Sequence, residues 1–134
     1  MTDIVTEETT VETPQGRLFA KRWRGGPAQQ VAGALNVGAP EPAAPTPAAP
    51  EPAAPTPAAP IVLLHDSLGC VELWRDFPAQ LASATQRDVI AYDRLGFGRS
   101  DRHPGKLGTT FVRDEADRAF AALLEQLGVD AFVA

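Results

Sequence analysis

Two short stretches hold the residues best suited to chemistry: His65-Asp66-Ser67-Leu68-Gly69, followed by Cys70, and Asp93-Arg94-Leu95-Gly96-Phe97-Gly98-Arg99-Ser100-Asp101, followed by His103. Ser100-Asp101-Arg102-His103 contains the members of a nucleophilic triad written in a row, but a triad needs side chains that converge from separate elements. Gly96-Phe97-Gly98 opens like a dinucleotide fingerprint and then fails. Asp101 occupies the third-glycine position and Pro104 stands where a helix should begin, so no nicotinamide or flavin cofactor is implied. Cys70 has no basic neighbour in its loop to favour a thiolate and reads as a small buried residue. Two histidines and one cysteine provide no metal-ligand spacing. What remains is the chemistry of loops. Gly96 and Gly98 supply unusual φ, Asp93 and Ser100 can bond loop backbone groups, His65 braces its own loop, and Asp66 can close an Asx turn.

The elements that must carry these loops follow from periodicity. Ile61-Val62-Leu63-Leu64 is a continuous apolar run, the pattern of a parallel strand buried on both faces, and it ends at His65. Trp74, Phe77, Leu81 and Ala84 recur at helical spacing, which predicts a helix near Leu73 to Thr85 with Asp76 as its cap and Pro78 at its first position. Asp88 to Tyr92 is the next buried strand and runs straight into Asp93. A second helix has Thr109 or Thr110 at its start, one face made of Val112, Ala116, Phe120, Leu123, Leu124 and Leu127, and Gly128 at the left-handed C′ position. Asp130 to Ala134 begins another apolar strand. Strand, helix, strand, helix, strand means two successive βαβ crossovers, hence an α/β fold with a parallel sheet flanked by helices. In such sheets ligands bind beyond the carboxyl ends of the strands, where both loops lie.

Residues 1–24 read as an antiparallel β-hairpin belonging to the same sheet. It comprises Thr9 to Thr13, a type I turn at Thr13-Pro14-Gln15-Gly16, and Arg17 to Arg24. Phe19, Lys21 and Trp23 share one face of its second strand. Residues 25–60 are low in complexity. Pro40 to Ala59 is the unit PEPAAPTPAA written twice, which predicts an extended, disordered insertion spanning up to about 60 to 65 Å at 3.1 Å per residue. Pro42-Ala43-Ala44-Pro45 has PxxP spacing but no flanking arginine, so it reads as a spacer. Residues 61–134 form the βαβαβ part.

Taken together, the His65 loop, the D-x-x-G-x-G-x-S segment from Asp93 to Ser100, the helix between them with Trp74, and the preceding hairpin resemble the α/β-hydrolase fold family. Members of that family carry a His-Gly-type loop after one strand and the D-x-x-G-x-G-x-S segment after the next. The resemblance implies that the first loop supplies a backbone N–H to an oxyanion hole, which carries over to Ser67, with His65, Asp66, Leu68, Gly69, Asp93, Gly96, Gly98 and Ser100 shaping the loops. Asp66 stands where the His-Gly form has glycine. A carboxylate there would oppose an oxyanion unless it is protonated, paired or turned away. The family's nucleophile elbow, G-x-S-x-G, follows the strand that Phe132-Val133 resembles, and no such segment occurs in the 134 residues.

The expectation is therefore the N-terminal part of a hydrolase acting on an ester, amide, epoxide or carbon-halogen bond of a small-molecule substrate. Its nucleophile, Ser or Asp, and its catalytic histidine would lie beyond Ala134, and the chain alone would be inactive. The alternative is a non-catalytic binding or assembly module, completed by another chain or by self-association through an exposed strand edge. A formal net charge of -5 argues against nucleic acid, which needs clustered Lys and Arg. No apolar run approaches the roughly 20 residues of a membrane helix, and no charged-then-apolar leader is present, so a cytoplasmic protein without cofactor or metal is expected.

Overall fold

The computed structural model describes residues 3–26 and 58–134, and all of the repeat tract but its last two residues falls outside them. Strands β1 (Thr6–Thr13) and β2 (Gly16–Trp23) form the hairpin, in register from Thr6↔Trp23 to Thr13↔Gly16. It starts three residues earlier than Thr9 because the ladder continues to its open end, where the Arg24 N–H donates to the Val5 carbonyl at 2.9 Å. Strand β3 (Ile61–Leu63) and strand β4 (Val89–Tyr92) are parallel neighbours, paired from Ile61↔Val89 to Leu63↔Ala91. The hairpin joins this pair antiparallel through β2, Ala20 opposite Tyr92 and Trp23 opposite Val89, which gives the order β1-β2-β4-β3. Of the expected last strand, only Val133 pairs. It bridges Ile61 in parallel on the far edge of β3, through bonds between the Val62 N–H and the Val133 carbonyl and between the Val133 N–H and the Pro60 carbonyl.

The sheet is mixed, with a helical layer on each face, as an α/β fold requires. Successive strand residues point to opposite faces. Val89 and Ala91 join Phe19, Trp23, Val71 and Ala82 under helix α1 (Phe77–Thr85). On the other face Leu18, Ala20 and Tyr92 meet Ala119 and Leu123, while Val62 and Ile90 meet Val129. Leu18, Ile90 and Leu123 are fully buried, and each such side chain contributes about 1.5 to 3 kcal/mol relative to exposure.

Both helices differ from their expected phase for identifiable reasons. Val71–Trp74 is a 3₁₀ turn, and Arg75 at φ 50°, ψ −121° breaks the path, so α1 begins only at Phe77 with Pro78 as its second residue. Asp76 precedes it without a side-chain cap bond, and Pro78 and Ala82, not Phe77 and Ala84, face the sheet. The second helical stretch is α2 (Phe111–Asp114), a π segment (Glu115–Phe120) and α3 (Ala121–Gln126). A π segment carries a surplus residue within its turn. That shifts the phase, so Val112 is 67% exposed and Ala116 is also exposed, whereas Ala119 and Leu123 are buried. Thr110 precedes α2, but its hydroxyl bonds the Asp114 carboxylate instead of a backbone N–H. Gly128 sits at φ 66° just past α3, the left-handed position read from the sequence.

Candidate active site

Parallel pairing sends β3 and β4 out of the sheet at the same end, and hydrogen bonds make their two loops one structure. Asp93, 1% exposed, closes β4: its N–H donates to the Phe19 carbonyl, and its carboxylate accepts the Val71 N–H at 2.7 Å and the Arg99 N–H at 2.9 Å. One side chain thus fastens the connection after β3 to the loop after β4. Gly98 lies under that carboxylate at φ 49°. A Cβ there would stand 2.1 Å from Asp93 Oδ2, so any other residue must displace Asp93.

The Ser100 hydroxyl donates to the Asp93 carbonyl and accepts the Phe19 N–H at 2.9 Å. Gly96, at φ 91°, donates its N–H to the Asp101 carbonyl at 2.7 Å. Asp101 in turn accepts the Arg17 N–H at 2.9 Å and the Arg17 guanidinium at 3.3 Å, and those bonds, the backbone one foremost, hold its carboxyl below the ordinary aspartate value. His103 is turned instead to the Gly105 carbonyl. Ser100, Asp101 and His103 therefore face different partners and do not converge.

The loop after β3 is organised around its first peptide groups. His65 is buried; its Nε2 accepts the Arg94 N–H at 3.0 Å, and its Nδ1 lies 2.7 Å from the Asp66 carbonyl. An amide only donates and a carbonyl only accepts, which assigns the ring as the neutral Nδ1–H tautomer. Phe97 packs on it with ring centroids 5.1 Å apart. Asp66 keeps a φ outside the left-handed region, and its Oδ1 accepts the Leu68 N–H at 3.1 Å, closing an Asx turn. Gly69 passes close behind, where a Cβ would stand 2.8 Å from that Oδ1. Ser67 and Leu68 are exposed at the tip, and among the described residues nothing accepts the Ser67 N–H.

Ser67, Arg94, Phe97, His103, Phe111 and Glu115 belong to the walls of a cleft of about 180 Å³. A second hollow of about 280 Å³ lies against Leu64, His65, Cys70 and Trp74. Glu115, the first residue of the π segment, accepts the Tyr92 hydroxyl at 3.0 Å, and burial together with that carboxylate pushes the phenol well above its ordinary pKa. Arg94 and Glu115 carry no signal in the sequence, since their places depend on loops and a helix phase that only the folded chain brings together. Among the described residues no three His, Cys, Asp or Glu side chains gather as a metal site, and no helix is long and apolar enough to cross a membrane.

The sequence model of the alpha/beta hydrolase fold family matches residues 59–134. The chain belongs to the alpha/beta hydrolase fold family. No curated protein matches it. The match opens two residues before β3 and takes in β3, β4 and both loops, the part of this hydrolase-fold chain that supplies most of the cleft walls, to which the hairpin adds Gln15. The hairpin lies outside the matched span, yet β2 pairs with β4 from Ala20 to Trp23 and reaches the second loop through Phe19 and Arg17.

Proposed function

We propose that this chain is the N-terminal, substrate-side part of a cytoplasmic hydrolase acting on an ester, amide, epoxide or carbon-halogen bond of a small molecule. The nucleophile and the catalytic histidine belong to residues outside these 134, and the chain by itself is inactive. The observation that supports this most directly is the Ser67 N–H, which has no acceptor among the described residues and follows the carboxyl end of the parallel strand β3. With a carbonyl substrate, attack by the nucleophile places negative charge on the former carbonyl oxygen, and a donor already fixed at that point contributes on the order of 2.7 to 4 kcal/mol. The Asp66 side chain is bent back on its own loop, where Oδ1 accepts the Leu68 N–H. His65, Leu68, Gly69, Asp93, Gly96, Gly98 and Ser100 serve by giving the two loops their shape.

The test is to read the gene beyond the codon for Ala134, express the longer protein and assay it on p-nitrophenyl esters, epoxides and haloalkanes. G-x-S-x-G after the Val133 strand with esterase activity supports acyl transfer, and G-x-D-x-G with dehalogenation or epoxide opening supports an aspartate nucleophile. Turnover by the 134-residue chain alone, abolished by Cys70→Ala or Ser100→Ala, would overturn the reading. A second reading, a non-catalytic module completed by another chain, draws on the far edge of β3, where a single bridge at Val133 stands beside exposed Leu64 and Phe132. An immediate stop codon together with a stable heteromer would favour it.

A further inference from the structure

Three donors converge on one carbonyl in the first loop. The Asp66 oxygen receives His65 Nδ1–H at 2.7 Å, Arg94 Nη2–H at 2.9 Å and the Gly69 N–H at 3.3 Å. That oxygen is one end of a peptide group whose other end is the Ser67 N–H. A trans peptide is planar and holds its C=O and N–H antiparallel, so whatever fixes the carbonyl fixes the N–H in the opposite direction. The same bonds draw electron density toward the oxygen and leave the N–H a stronger donor, since hydrogen bonds in a chain reinforce one another by about 10 to 30 % per bond. Arg94 contributes twice: its backbone N–H seats the His65 ring, and its guanidinium makes the only charge-assisted bond of the three.

We propose that Arg94 is a positioning residue for this hydrolase-fold site: from the loop after β4 it clamps and polarises the Asp66–Ser67 peptide so that the Ser67 N–H is preset as an anion donor. The inference rests on the reading of Ser67 as the oxyanion donor. A guanidinium placed for stability alone would be expected to satisfy its buried donors. Arg94 Nε is buried with no partner among the described residues, while Nη2 is held on Asp66 and Cζ lies 4.9 Å from the centroid of the Phe97 ring. The arrangement accepts the loss of one bond to keep the fork aimed at the peptide. Asp66 takes a different part in the same loop, its side chain fixing Leu68 while its carbonyl is the clamped group.

The experiment is heteronuclear NMR of the 134-residue chain. In the unaltered protein the Asp66 ¹³C′ resonance is expected further downfield of its own random-coil position than those of Ser67 and Leu68 are of theirs, since their carbonyls receive no such donors among the described residues. Arg94→Met keeps the aliphatic stem and removes the guanidinium; the Asp66 ¹³C′ and Ser67 ¹⁵N resonances should both move upfield while the Leu68 amide holds its position. Arg94→Lys, which restores a charged donor, should recover part of both shifts. An Asp66 carbonyl at its random-coil position in the unaltered chain overturns the clamp without recourse to any variant. So do Arg94→Met shifts at Asp66 and Ser67 no larger than the shift at Leu68. These resonances report on the peptide and not on turnover: a longer protein that hydrolyses nothing would overturn the hydrolase reading and leave the clamp standing.

Discussion

Replacing Asp93 by asparagine tests whether one buried carboxylate joins the two loops. The side chain has two acceptor oxygens, each taken by a backbone N–H, from Val71 on one side and Arg99 on the other. Asparagine has the same shape but only one acceptor, so its amide group must face one of those two N–H donors. The loss is one charge-assisted bond, about 1.5 to 3 kcal/mol, with a buried donor left unmatched. A folded unit of this size draws roughly 3 to 5 kcal/mol from a single core, so Asp93→Asn should remove about half of its stability. At about 4 to 8 °C per kcal/mol the melting temperature should fall by roughly 10 to 20 °C. Thermal unfolding followed by the fluorescence of Trp23 and Trp74 measures this, and amide exchange locates it, with faster exchange at Val71 or Arg99 and little change at Ile90 until global unfolding. An unchanged melting temperature, with both loop amides protected as before, would refute the claim that this carboxylate holds the loops together.

The other expectations concern neighbouring parts of the same frame. Gly98→Ala should destabilise the fold, and the double variant with Asp93→Ala should cost less than the sum of the two single changes, because the added methyl then meets no carboxylate; a thermodynamic cycle from urea unfolding measures that coupling. Leu123→Ala opens a cavity beneath Leu18 and Val11 and should cost about 2 to 5 kcal/mol in the same assay. Asp88 provides the pH dependence. Burial pushes its carboxyl up, but the Gly25 N–H and the guanidiniums of Arg22 and Arg24 outweigh burial and leave it below the ordinary aspartate value. A depressed folded value means that the unfolded chain binds the proton more readily, so this contribution is fully present above pH about 4 and is lost as the pH falls through the lower folded value. Asp88→Asn should flatten the acid limb of a stability-against-pH curve and leave its slope near neutrality unchanged.

The hairpin turn, β3 and β4 were legible because their signals are local. Ile61 to Leu63 and Val89 to Tyr92 are apolar runs with no competing pattern, and Pro14 with Gly16 marks the hairpin turn. The helix faces were not, because phase depends on where a helix starts and whether it keeps one period. Arg75 delays α1, and the π segment offsets Val112 and Ala116 from Leu123. The loops were legible as a pair of motifs, yet their joining was not, since Asp93 to Val71 and Arg94 to Asp66 are bonds across 22 and 28 residues that no spacing rule announces. Ser67 is the extreme case. Its candidate role belongs to a backbone N–H, which any residue but proline would offer, so the side chain there carries no mark of it.

The surplus residue between Glu115 and Phe120 separates two jobs that one regular helix would have tied together. Downstream of it, Leu123 answers to the sheet; upstream, Phe111 and Glu115 answer to the cleft. Deleting a single position inside that turn would swing the upstream end by roughly 100° about the helix axis, a residue's worth of rotation. The walls of the opening would be re-dealt while the hydrophobic contacts beneath kept their places. In this chain, then, a length change at one turn would reshape the opening by a route that substitutions in the loops themselves do not offer.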